Sequence, residues 1–153
     1  MKNLLPNRLS DCIDVALKDL DAAKKLGFKV DMSNWYTRNA ETCTVCLAGA
    51  VLAREFDLNV GEDVGPFTLL QFNNLITHHD YLRLHSLNSL RVGDVDGALA
   101  MMDGRYCDAD TSRYDDSFDT DISFRMKTTG FTDTKQWRKD MNNIAKYLRE
   151  KGL

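Results

Sequence analysis

The sequence predicts a mainly α-helical single domain over residues 1–153: five or six helices around a central apolar helix, with a minor two-stranded β element. Three observations carry this. Only Pro6 and Pro66 interrupt 153 residues, so long stretches are free to be helical. Apolar residues recur at helical spacing in several separate segments. Residues 43–53 hold Thr44 as their one polar side chain, and a helix with no polar face belongs inside a core. The length suits one domain with a sizeable interior and is too short to expect two.

Taken in order, the first helix is expected from Asn7 or Ser10 to Leu26. Leu9, Cys12, Ile13, Ala16, Leu17, Leu20 and Ala23 form its inward stripe, and Gly27 stops it. Asp14 precedes Lys18, and Asp21 precedes Lys25, by the four residues that allow pairing along a solvated face. Phe28, Val30 and Met32 then alternate with Lys29 and Asp31, a short strand pattern. Residues 33–41 read as a loop around Trp35 and Tyr36. Thr42 is expected to cap the buried helix, which continues to Phe56. Its small residues Ala48, Gly49, Ala50 and Ala53 let neighbours approach closely.

Residues 59–65 form a turn-rich connection, and Pro66 suits a first helical position. Helices are expected from Asp80 to Leu90 and, capped by Asp94, from Val95 to Met102, with Gly93 and Gly104 as breaks. Residues 105–121 read as a polar loop. Ile122, Phe124 and Met126 alternate with polar residues, giving a second strand able to pair with residues 28–32. In the last helix Asp133 and Gln136 have capping-box spacing, and Trp137, Met141, Ile144 and Leu148 face inward.

Charge is unevenly distributed about a net of −3. Residues 108–121 set Arg113 against Asp108, Asp110, Asp115, Asp116, Asp119 and Asp121, whereas residues 122–153 carry eight basic and three acidic side chains. The acidic total argues against nonspecific nucleic-acid binding, which needs a basic surface. No apolar run approaches the roughly 20 residues of a membrane span. Four cysteines without a signal-peptide pattern fit a reducing compartment, so the protein is read as cytoplasmic.

The motif with most chemical content is Cys43-x-x-Cys46. At a helix start it has the geometry of a redox pair, because the positive helix end lowers a thiol's pKa. It is also half a zinc site, for which His78 with His79, or His85 with Cys107, are candidate second pairs without a familiar spacing. The competing reading makes both cysteines core filler, since free cysteine is among the most buried residue types. The Asp-rich segment matches an EF-hand register at Asp108, Asp110, Ser112, Asp116 and Asp119. It fails where Arg113 replaces the turn glycine and where Asp119 stands for the bidentate Glu. No phosphate-binding glycine loop, zinc-protease helix or nucleophile elbow is present.

The segment Asn34-Trp35, followed by Cys43-Thr44-Val45-Cys46-Leu47-Ala48-Gly49, resembles a pattern in small bacteriophage and bacterial accessory proteins. There a tryptophan precedes a Cys-Thr-x-Cys-x-Ala-Gly helix start, often with wider thiol spacing. The resemblance implies a phage-encoded protein that binds a host or defence component.

These readings converge on a non-enzymatic protein-binding module without a cofactor. Its expected contact residues are Asp108, Asp110, Asp115, Asp116, Asp119 and Asp121 in the acidic segment, with Arg138, Lys139 and Lys146 on the last helix. The alternative is a thiol-redox or zinc-binding domain centred on Cys43 and Cys46.

Overall fold

The computed structural model describes residues 3–31, 36–38, 43–56, 76–90, 93–103 and 133–153. Within these the chain forms α1 (Leu9–Lys25), β1 (Lys29–Val30), β2 (Tyr36–Arg38), β3 (Cys43–Val45) and α2 (Leu47–Glu55). There follow α3 (His78–Leu90), α4 (Val95–Met102) and α5 (Lys135–Glu150). The mainly helical class is as the apolar periodicity predicts.

Glycine ends the first and last of these helices by one device. Gly27 (φ 100°) and Gly152 (φ 75°) adopt the left-handed conformation that a side chain disfavours. The reversal turns the next N–H back onto the helix. Phe28 donates to the Ala23 carbonyl and Gly27 to that of Lys24; Leu153 donates to Leu148 and Gly152 to Arg149. These are Schellman closures, and buried Phe28 supplies the accompanying apolar contact. The N-terminus of α1 has no side-chain cap. Instead the Leu153 carbonyl accepts the Ser10 N–H at 3.4 Å and the Ser10 hydroxyl at 3.3 Å.

The apolar run is buried throughout from Val45 to Ala53, none of its side chains exceeding 5% exposure. Its start differs from expectation. Residues 43–45 are strand, and the helix cap is Cys46, whose Sγ accepts the Gly49 N–H at 3.4 Å. β3 runs parallel to β1 (Lys29 opposite Thr44) and antiparallel to β2 (Thr37 opposite Thr44), giving the order β1-β3-β2. Thr44 and Val45 are β-branched and favour strand over helix, and two neighbouring strands supply ladder partners. Residues 36–38, read as loop, are one of them. The pairing expected between residues 28–32 and 122–127 lies outside the described residues, as do residues 57–75 and 104–132.

The helices share one core. α2 packs on α1, α3 and β3, while α1 meets α2, α3, α5 and β1, so α1 is as central as the apolar helix. α5 buries Trp137, Met141, Ile144, Ala145 and Leu148 and packs on α1. α3 and α4 form a tight pair, tied by the fully buried Ser86 hydroxyl, which shares its proton between the Leu82 and Ala98 carbonyls, each 2.9 Å away. Asp94 caps α4 as predicted, accepting the Gly97 N–H at 3.0 Å. At α5 the cap is Thr134, one residue beyond the expected Asp133; its Oγ1 accepts the Trp137 N–H at 3.1 Å.

Candidate interaction surfaces

The cations of α5 divide into two sets. Arg138 reaches Asp21 at 2.7 Å and Asp133 at 2.9 Å, while Arg149 reaches Asp14 at 2.7 Å and Asp11 at 3.7 Å. Asp14 and Asp21 therefore pair across the interface, not with Lys18 and Lys25 along α1. The order of the pairs makes α5 antiparallel to α1. Lys24 adds a second bond to Asp133 at 2.9 Å. Burial pushes the Asp133 carboxyl up, but hydrogen bonds from Arg138 and Lys24 outweigh it and hold the group below the usual carboxylate range. Arg138, expected at a contact surface, is thus occupied in holding α5 down.

The second set is Lys135, Lys139 and Lys146, all exposed and without an ion pair among the described residues. Spaced by four and seven residues, they fall on one line of the helix, opposite Met141 and Ile144. At 1.5 Å per residue the row is about 16 Å long. Asn142 lies on the same line, so the outer face is basic and polar over three turns. Two of the expected contact residues, Lys139 and Lys146, stand in it. The acidic expectation, Asp108, Asp110, Asp115, Asp116, Asp119 and Asp121, lies outside the described residues, and so does its calcium register.

For the cysteine pair, the structure moves Cys43 out of the first helical turn into β3, away from the helix end expected to activate it. Cys46 occupies that end and is buried. Cys12, unremarked in sequence beyond its place in the stripe, is also buried. Its Sγ donates to the Pro6 carbonyl at 3.2 Å, and burial pushes the thiol up to about 12. Of the candidate zinc partners, His78 stacks near Tyr81 (6.1 Å between ring centres) while His79 points its Nε2 at the Leu5 carbonyl, 3.1 Å away. The neighbours face different ways. Among the described residues no three His, Cys, Asp or Glu side chains converge on one point as metal ligands would.

Sequence reasoning missed two buried carboxylates. Asp19 (7% exposed) receives Arg54 Nε at 2.8 Å; burial pushes its carboxyl up against the pull of that bond. Asp80 is fully buried, yet accepts three hydrogen bonds: from the Leu4 N–H (2.9 Å), the Leu5 N–H (3.1 Å) and the Thr77 hydroxyl (3.1 Å). Thr77 Oγ1 in turn accepts the Asp80 N–H at 3.1 Å, capping α3. The spacing Thr77-x-x-Asp80 was a readable start signal for α3; nothing local marked the carboxylate's long-range partners.

Comparison of the chain with protein-family models, curated proteins and solved structures returned no match. No helix of the described residues is long and apolar enough to cross a membrane.

Proposed function

We propose that this protein is a non-catalytic binding module, phage-encoded and cytoplasmic, that occupies a surface of a host or defence protein. The observation that supports this reading is the division of labour on α5. Its arginines are committed to the fold, whereas Lys135, Lys139 and Lys146 form a solvated row that the packing does not use. The row meets an acidic patch on the partner, and the aspartates of residues 108–121 meet a basic one. Complementary charge of this kind speeds encounter and sets specificity more than it supplies affinity.

The test is capture from bacterial extract on immobilised protein at low and high salt. Wild-type protein retains a discrete partner that salt releases; Lys139→Glu/Lys146→Glu, or Asp115, Asp116, Asp119 and Asp121 neutralised together, does not. Retention unchanged in both variants removes the reading. Thiol titration addresses the redox or zinc alternative: rapid alkylation of Cys43 or Cys46 in native protein, or zinc found by elemental analysis, would put it in place of the binding module.

A further inference from the structure

The segment ahead of α1 is held as a ligand is held. From Leu4 to Pro6 every backbone polar group meets a side chain of the helical body. The Leu4 and Leu5 N–H groups donate to the two oxygens of Asp80 (2.9 and 3.1 Å). The Leu4 carbonyl accepts from Arg54 Nη2 (3.4 Å), and the Leu5 carbonyl from His79 Nε2 (3.1 Å). The Pro6 carbonyl accepts from Cys12 Sγ (3.2 Å). Proline has no N–H to satisfy. Leu5 is 3% exposed, its side chain sunk in the core, and Leu4 packs beside it.

Three features separate this arrangement from an ordinary irregular segment. The clamping groups come from three helices: Asp80 and His79 from α3, Arg54 from α2, Cys12 from α1. Arg54 is itself braced by Asp19 at 2.8 Å, and Asp80 by Thr77 at 3.1 Å, through bonds that do not involve residues 4–6. The segment has no helix or strand of its own, and among the described residues no backbone–backbone bond ties residues 4–6 to the body. Recognition is by two adjacent N–H groups, three carbonyls and one leucine pocket. That reads a short peptide by its backbone and a single anchor side chain.

We propose that Asp80, His79, Arg54 and Cys12 form a peptide-binding cleft for a Leu-Leu-Pro type segment, filled here by the chain's own residues 4–6 and available to such a segment of another protein when these leave. Asn7 and Arg8 alone separate the self-ligand from α1, so its effective concentration is high and the resting cleft is self-occupied. A competing segment sees affinity reduced by the fraction of time the cleft stands empty. The cleft uses none of the α5 lysines, and it stands even if that row proves silent.

The test uses the full chain and a labelled peptide of residues 3–8, Asn-Leu-Leu-Pro-Asn-Arg. Leu5→Ala weakens the self-ligand, and fluorescence anisotropy should then show the peptide bound at least about tenfold more tightly than by wild type. Asp80→Asn in the same background should abolish the gain, as should a peptide with proline in place of its second leucine, which lacks the N–H. A folded Leu5→Ala chain that ignores the peptide overturns the proposal. Should Leu5→Ala prevent folding, hydrogen exchange in wild type decides. The Leu4 and Leu5 amides should exchange through local release, well below the energy of global unfolding. Exchange only on global unfolding would make the segment a fixed part of the fold and overturn the cleft.

Discussion

At the scale of single residues, burial outranks chemistry at Cys12. A thiol normally ionises near pH 8.5, but here it lies beneath Pro6, held by a bond to that carbonyl, and resists ionisation until about pH 12. Between those values the unfolded chain releases a proton that the folded chain keeps. Folding stability therefore falls as pH rises through this window, by about 1.4 kcal/mol per unit for one such group. The expected outcome is a urea midpoint that drops more steeply above pH 9 in wild type than in Cys12→Ser, whose hydroxyl keeps the bond and does not titrate. Equal slopes in the two proteins would place the thiol in water. Cys46 follows the same preference for the interior, its sulfur facing a backbone N–H at the start of α2. A C-x-x-C spacing cannot tell such a cap from a redox pair, because the distinction lies in where the helix begins.

Helices are where the sequence speaks most plainly, and their ends where it speaks least. α1, α4 and α5 were legible within a few residues because their apolar stripes have a clean period and Gly27, Gly93 and Asp94 punctuate them. Capping by Thr134 is expected to be worth about 1 kcal/mol, so Thr134→Ala should lower the denaturation midpoint accordingly. Asp133, freed from that task, bonds Arg138 within the first turns of α5 and Lys24 across the α1–α5 contact. Its folded pKa is lowered, so the stabilisation is present above the usual carboxylate range and is lost as pH falls through the folded value. Asp133→Asn should thus be less stable than wild type at pH 7, by on the order of 1 kcal/mol given the half-exposed Lys24. The gap should close once the pH has fallen through that lowered folded value; a gap that persists there would mean that something other than charge is lost. Trp137→Ala, which empties the largest fully buried side chain among the described residues, should cost about 3–5 kcal/mol. The start of α2 was illegible for a physical reason. Thr44 and Val45 read as part of an apolar helix until β1 and β2 are seen to offer them a ladder, and that information is long-range.

On the scale of the whole molecule, charge does two kinds of work, and the two are separable by experiment. Arg138 and Arg149 join the ends of the sequence by clipping α5 to α1. Lys135, Lys139 and Lys146 face away from every described element. Composition alone could not make this division, since Arg138 and Lys139 are adjacent and differ by one step around the helix. Replacing the three lysines by glutamate should leave the urea midpoint almost unmoved, because exposed substitutions away from caps and cores cost within about 0.5 kcal/mol each. Arg138→Ala, in contrast, should lower it, since Asp133 loses one of its two partners while it stays largely buried. The binding readout should run the opposite way. Under the proposed function the triple variant loses the captured partner along with its salt dependence, whereas Arg138→Ala, assayed where it is folded, retains both. A triple variant that captures as wild type does would reduce the row to a solvated helix face and leave partner binding to the acidic segment alone.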